Sequence, residues 1–243
     1  MRLLRPITGL VLAIDFRHNG KDAWYRTAGS LVGTLVGGAS VSNGRLLCDS
    51  DDDFLRYAIG AAAQVPGQAG AVLVDCDPPA ASVYNHVLFA AKPAAASLNN
   101  YLVLYRDTAE NMRCIAFTSG AAATGITPTG LSGDVGRTNF AMAWEGFSGA
   151  AGTAEVHLSA DGGTPSSYTG GTLTRTEADA TGQIDIGNET ANPTDHSFDG
   201  PVYRLAIFNI TNPAGQDLTA VGWSADAIWD AIFPRTRLNG MST

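Results

Sequence analysis

Paired carboxylates are the residues in this sequence whose spacing best fits catalytic chemistry. A retaining glycosidase needs two carboxylates about 5 Å apart, and a strand presents residues i, i+2 and i+4 on one face. Asp185 and Glu189 in QIDIGNE have this spacing, and Glu155 and His157 share one face of another predicted strand. Glu189 is expected in a turn, and no Ser or Cys in a nucleophile motif accompanies a His. We therefore predict a protein that is not an enzyme, with solvated surface carboxylates at both places.

Oxygen-rich side chains before the last predicted strand suggest a calcium site. Ca²⁺ takes several oxygen ligands from closely spaced Asp, Asn or Glu residues, and the candidates here are Asn188, Glu189, Asn192, Asp195 and Asp199. The same residue types also form turns, so calcium is left open and no other cofactor is expected. A second acidic run is interpreted as a solvated hairpin turn: Asp49, Asp51, Asp52 and Asp53.

Exposed aromatic rings bordered by small polar residues are typical of sugar-binding surfaces. Trp24 and Tyr25 in GKDAWYRT, and Tyr168 in TPSSYTGG, are the candidates for such a role. The other three tryptophans are interpreted as core or helix-packing residues.

The cysteines and histidines predict neither disulfides nor a transition-metal site. Cys48, Cys76 and Cys114 are odd in number and each lies in an apolar or alternating segment, so we expect buried thiols. The four histidines are scattered, and no CxxC unit is present.

Composition narrows the class of protein. The 243 residues are 45% hydrophobic and 16% charged, with a net charge of −8, which excludes a disordered chain and disfavours nucleic acid as a partner. No apolar run reaches the roughly 18 residues of a membrane span. Pro6 and Gly9 interrupt the apolar N-terminus, so we expect no signal peptide and no membrane insertion.

Short apolar or alternating runs, separated by Gly, Asn, Asp, Ser and Pro, predict an all-β fold. The clearest runs cover 9–16, 44–50, 54–59, 70–77, 86–91, 101–107, 112–118, 139–146, 154–163, 183–189 and 202–210. Helical periodicity is almost absent between them, which excludes β-α-β units. One helix is predicted near the end of the chain, capped by Ser224 and stopped by Pro234, with an apolar stripe formed by Ile228, Trp229, Ile232 and Phe233.

The second half of the chain resembles laminin-G-like domains of the concanavalin A-like lectin/glucanase superfamily. AEVHLSADGG, QIDIGNE, SFDGPVYRLAIFNI and WSADAIWDAI follow the family's order over about 153–233, and the matching positions are Asp161, Gly162, Ile184, Ile186, Gly187, Phe198, Gly200, Leu205, Ile207 and Asn209. The resemblance implies a jelly-roll sandwich of two antiparallel sheets with one short C-terminal helix. The E-x-D-x-E-like set of hydrolases with this fold is absent. We divide the chain into an N-terminal arm (1–9), one sandwich domain (10–233) and a C-terminal tail (234–243).

The absent signal sequence and the Ala/Gly/Thr-rich loops make the chain look like the lectin-like modules of bacteriophage head-decoration and tail proteins. The resulting hypothesis is a non-enzymatic virion protein, a capsid decoration (cement) or tail component, assembled in the host cytoplasm. Its expected partners are the major capsid or tail protein and a glycan, and self-association is left open. The alternatives are a free lectin-like carbohydrate-binding protein and, after it, a glycoside hydrolase.

Both ends of this acidic chain are locally basic. Arg2 and Arg5 lie near the start, and Arg235 and Arg237 follow Pro234. The first and last strands of laminin-G-like sandwiches are usually neighbours, so the resemblance implies that these arginines form one basic patch. We expect this patch to dock on an acidic surface of the particle; the alternative is that the termini are only solubilising.

Overall fold

All eleven runs identified in the sequence contain strands, and these strands form two sheets packed face to face. The computed structural model describes residues 9–26, 29–58, 69–79, 84–92, 101–117, 136–146, 154–160, 166–169, 182–188 and 196–209. The prediction of an all-β sandwich of two antiparallel sheets is confirmed.

The larger sheet has nine strands. Seven follow each other across it in the order β13 (Ser166–Thr169), β12 (Glu155–Ala160), β11 (Thr138–Glu145), β7 (Gly70–Cys76), β16 (Val202–Asn209), β1 (Leu10–Asp15) and β2 (Trp24–Tyr25). The short strands β4 (Ser40–Ser42) and β5 (Arg45–Leu47) form a hairpin, and β5 pairs with β16. The sheet therefore joins the beginning of the described chain to its end.

The smaller sheet has seven strands. Its order is β10 (Met112–Phe117), β9 (Tyr101–Arg106), β8 (His86–Lys92), β14 (Gln183–Ile186), β6 (Phe54–Ala58) and β3 (Thr34–Val36). The two-residue strand β15 (His196–Ser197) pairs with β8 in parallel, whereas the other described strands of this sheet pair antiparallel.

The core lies between the sheets and takes one face of each strand, as period-2 alternation requires. Phe140, Met142 and Trp144 on β11 point into it together, as predicted, and are at most 1% exposed. The three cysteines are also buried and free, which confirms their prediction, and burial raises the pKa of each thiol.

Gly187 shows why one turn beside the core requires glycine. It follows β14 with φ +98°, a conformation that other residues rarely adopt. A Cβ at this position would collide with Cys48 Sγ. The backbone of Gly187 donates to Leu88 O and accepts from Phe198 N, so the turn ties β8 to the segment before β16.

Sequence analysis missed the shortest elements. β2, β3, β4, β13 and β15 were not predicted, and neither was the helix α1 (Phe16–Asn19), whose N-cap is Asp15. The predicted C-terminal helix and both termini lie outside the described residues, so the division into domains stays a prediction. Within the described part of the chain, none of the helices has the length and apolarity needed to cross a membrane.

Candidate functional site

The three aromatic residues predicted to bind sugar have different environments. Trp24 is half-buried, and Tyr25 is 4% exposed and belongs to the core, so the expectation of an exposed Tyr25 is wrong. Because Tyr25 points inward, its neighbour Trp24 lies on the outer face of the larger sheet, opposite Ala13. Tyr168 belongs to β13, but its side chain lies outside the described residues.

The predicted calcium ligands are only partly described. Asn188 is buried, and its amide nitrogen donates to Asp51 O and to Ser197 Oγ, the latter at 3.1 Å. Asp199 is exposed, whereas Glu189, Asn192 and Asp195 lie outside the described residues. Asn188 thus connects a loop to β15, and the calcium site stays a prediction.

Asp53 connects two loops that cross from one sheet to the other. Gly38 lies in the loop between β3 and β4, and Ser50 lies in the loop between β5 and β6. The expectation of a solvated turn fits Asp51 and Asp52, but Asp53 is 0% exposed. Its carboxylate accepts from Gly38 N and from Ser50 N, the latter at 3.1 Å. Burial by itself would raise the pKa of Asp53, but these hydrogen bonds hold it below its usual value.

Asp185, a candidate for catalysis that the sequence predicts to be a solvated surface carboxylate, is also buried, which corrects that expectation. Both of its oxygens accept from Arg56, from Nε at 2.7 Å and from Nη2 at 2.8 Å. This bond raises the pKa of Arg56. Glu189, its presumed partner, lies outside the described residues.

A row of charged side chains crosses the outer face of the larger sheet. Asp15 on β1 lies directly opposite Arg204 on β16, and Arg204 lies opposite Asp75 on β7. Directly opposite residues point to the same face. Two further arginines complete this arginine cluster, which consists of Arg17, Arg137, Arg204, Asp15 and Asp75.

Buried carboxylates hold the arginine cluster together. Asp75 accepts from Arg137 Nε at 2.9 Å, Arg137 Nη2 at 2.8 Å and Arg204 Nε at 2.6 Å. Asp15 accepts from Arg17 Nε at 2.8 Å and from Arg17 Nη2 at 2.6 Å. Both carboxylates are 0% exposed, so the guanidinium groups replace the water that the charges have lost.

The cluster carries more positive than negative charge. Three arginines against two aspartates leave a formal charge of +1, in a chain whose net charge is −8. The bond to Asp15 raises the pKa of Arg17 and the bond to Asp75 raises that of Arg137, whereas burial lowers the pKa of Arg204.

Two arginines of the cluster are accessible. The side chains of Arg17 and Arg137 are 40% and 44% exposed, against 10% for Arg204. Arg137 stacks on Tyr203 with its guanidinium carbon 3.9 Å from the ring centre. The stack and the bidentate bond fix the direction in which this guanidinium faces.

A second polar group lies further along the same sheet. Glu145 and Glu155 are directly opposite each other on β11 and β12, and His157 Nε2 is 3.6 Å from the first carboxylate and 3.5 Å from the second. One ligand atom from each lies within 4.8 Å of the others, close enough for a shared metal ion. Since Ca²⁺ prefers oxygen alone, a set with imidazole fits a transition metal better.

Sequence analysis missed the arginine cluster, although the sequence holds a signal for it. Asp15, Asp75 and Arg204 each stand inside or at the end of a strongly apolar strand: LVLAID, GAVLVDC and VYRLAIFN. A charge in a strand that is otherwise buried requires a partner. Which arginine pairs with which carboxylate depends on the strand order.

Comparison with known proteins identifies the fold and no family. No protein-family model matches the chain, and no curated protein sequence matches it. Among solved structures, the chain is similar to the sialidase of Trypanosoma rangeli in complex with 2,3-difluorosialic acid, with 15% identity and a TM-score of 0.58. The similarity covers 84% of this chain but only 31% of the sialidase chain.

A second similar structure is matched over almost its whole length. The CBM40 of the Ruminococcus gnavus IT-sialidase, bound to α2,3-sialyllactose, is 15% identical with a TM-score of 0.53. The match covers 74% of this chain and 97% of the CBM40 chain. These similarities show the fold, a β-sandwich, and the laminin-G assignment stays a prediction.

Proposed function

We propose that this chain is a carbohydrate-binding module that recognises acidic glycans at the arginine cluster. The observation that carries the proposal is the accessible pair Arg17 and Arg137, held on buried carboxylates on the outer face of a lectin-like sandwich. The similarity to a sialyllactose-bound module supports the class of ligand. This function corresponds to the alternative predicted from the sequence, a free lectin-like carbohydrate-binding protein.

Guanidinium groups recognise the carboxylate of an acidic sugar through charge-assisted hydrogen bonds. Asp75 fixes Arg137 through Nε and Nη2, and Asp15 fixes Arg17 in the same way. Each guanidinium keeps its Nη1 hydrogens for a further acceptor. Little side-chain entropy is then lost on binding, because these arginines are already ordered.

Trp24 supplies an apolar surface on the same face. It lies opposite Ala13, which is two residues from Asp15 on β1, and two residues of a strand span about 7 Å. One sugar residue can therefore stack on the indole while its carboxylate meets Arg17.

Binding without hydrolysis fits the described carboxylates best. Glu145 and Glu155 each have a carboxylate oxygen within 4.8 Å of the other's, but both carboxylates lie close to the imidazole of His157. Asp185 is bound to Arg56. We therefore expect no release of sialic acid from sialyllactose, and hydrolysis that is lost in Glu145→Gln or Glu155→Gln would contradict this.

Calorimetric titration with α2,3-sialyllactose and with lactose tests the proposal. We expect sialyllactose to bind at least about 10-fold more tightly, because one charge-assisted hydrogen bond is worth about 1.5–3 kcal/mol. Arg17→Gln and Arg137→Gln should each remove most of this preference.

Arg113→Gln is the matched control, because Arg113 is also paired with an aspartate, Asp107, but lies on the smaller sheet. Equal binding of the two sugars, or the same loss in Arg113→Gln, would reject the arginine cluster as the site.

The virion role is a separate proposal that rests on the sequence. Arg2, Arg5, Arg235 and Arg237, which would dock on a capsid or tail protein, lie outside the described residues. Particles assembled with all four changed to Ser would test it: lost incorporation supports docking through the termini, and normal incorporation rejects it.

A further inference from the structure

Arg106 and His86 lie side by side at one end of the smaller sheet. Arg106 ends β9, His86 begins β8, and the two are directly opposite in the strand register. On its other side, Arg106 lies opposite Met112, a residue of the core. Since directly opposite residues share a face, Arg106 and His86 both point to the core side of the sheet.

Arg106 is the most buried arginine in the described part of the chain. Its side chain is 2% exposed, and within the described residues Nε and Nη1 have no hydrogen-bond partner. Among the described residues, Glu110 places a carboxylate oxygen 3.7 Å from Nη2, on a side chain that is 40% exposed. This distance is too long for a hydrogen bond, so the charge is only weakly compensated.

The arginines that bind buried aspartates elsewhere in the described chain show how unusual this environment is. Arg56, Arg137 and Arg204 each have Nε within 2.9 Å of an aspartate oxygen. An unpaired guanidinium in the protein interior is costly, so Arg106 needs acceptors that the described chain does not supply.

His86 adds a second polar atom to the same place. Its Nδ1 lies 2.7 Å from Ser197 O, and because a carbonyl only accepts, Nδ1 must donate. Its Nε2 is buried and, in the described part of the chain, has no partner. Nε2 therefore accepts from a protonated ligand atom when the ring is neutral, and donates when the ring is charged.

We propose that Arg106 and His86 form a buried binding site for an oxyanion, the carboxylate, sulfate or phosphate group of a small ligand. The oxyanion accepts from Nε or Nη1 of Arg106 and, when the imidazole is charged, from His86 Nε2. Glu110 lies at the exposed side of Arg106 and competes with an incoming anion. The site is on the smaller sheet and does not depend on glycan binding at the arginine cluster.

Thermal unfolding of the full chain with about 10 mM sulfate, phosphate or acetate, at constant ionic strength set with NaCl, tests the site. We expect a rise in the unfolding midpoint that saturates with anion concentration. Arg106→Gln should abolish the rise. Glu110→Gln should bring half-saturation to an anion concentration about 2- to 5-fold lower, because a partly exposed competing charge is removed.

Arg113→Gln, in the same hairpin, is the control and should respond as the wild type does, including any general salt effect. If Arg106→Gln does not fold, Glu110→Gln and the Arg106 Nε–H resonance of the wild type provide the readout. A response to acetate identifies a carboxylate site, and a response to sulfate and phosphate alone identifies a tetrahedral one. An unchanged midpoint and an unchanged Arg106 resonance with all three anions would overturn the proposal.

Discussion

The outer faces of the two sheets both carry buried ion pairs, but their charge balance differs. Among the described residues of the smaller sheet, Asp185 binds Arg56, whose side chain is 27% exposed. Beside this pair the face is apolar, with Val87, Ala90 and Val103 buried. On the larger sheet, two buried aspartates hold three arginines.

On the proposed function, this difference separates a structural ion pair from a recognition surface. In the bidentate bond between Arg56 and Asp185 the two charges offset each other, which leaves little charge for a ligand. The cluster on the larger sheet leaves a formal +1 and two accessible guanidinium groups. The same chemistry that compensates a buried carboxylate can therefore also prepare a binding site, provided that cations outnumber anions.

Removing the central carboxylate of each face gives the largest expected effect. Asp75→Asn should lower the free energy of unfolding by about 3–5 kcal/mol, because it removes the buried carboxylate that Arg137 and Arg204 both bind. Asp185→Asn affects one arginine that reaches solvent and should cost less, about 1–3 kcal/mol. Urea unfolding followed by tryptophan fluorescence measures both, and equal losses would show that the two faces do not differ in this way.

Acid should weaken the connection between the two sheets at Asp53. Its pKa is lower in the folded chain than in the unfolded chain, so its contribution is present above the unfolded pKa of about 3.9 and is lost as pH falls through the folded pKa. Asp53→Asn should cost about 1–2 kcal/mol at pH 7.

Unfolding curves from pH 7 to pH 2 check this sign. The wild type and Asp53→Asn should differ by a constant amount above about pH 5 and converge below about pH 4. A difference that grows on acidification would mean that the Asp53 carboxylate is not stabilised by Gly38 and Ser50.

The stack of Arg137 on Tyr203 should give the smallest effect. Tyr203→Leu removes a cation–π contact worth about 0.5–1 kcal/mol at an exposed site. A double-mutant cycle with Arg137→Gln isolates the coupling energy of the pair. Additive effects of the two changes would show that Asp75 alone orients Arg137.

The strands could be predicted from the sequence because their alternation reports directly on burial. Phe140, Met142 and Trp144 needed no knowledge of their neighbours to be placed in the core. Tyr25 could not be placed in the same way, because β2 has two residues and no alternation to read.

The arginine cluster was harder to predict, because the sequence around a charged strand residue does not show which residue forms an ion pair with it. Asp75 binds Arg137 and Arg204, which are 62 and 129 residues away in the sequence. These contacts depend on the position of β7 between β11 and β16 in the folded sheet. Asp185 was interpreted as solvated for the same reason, since its partner Arg56 comes from a distant strand.

NMR mapping of a titration with α2,3-sialyllactose tests the central claim most directly, because it compares both faces in one experiment. We predict that the Nε–H resonances of Arg17 and Arg137 and the indole resonance of Trp24 shift and saturate together, while that of Arg56 on the smaller sheet does not move. Shifts confined to Arg56 and its neighbours, with Arg17 and Arg137 unchanged, would contradict the assignment of glycan binding to the larger sheet.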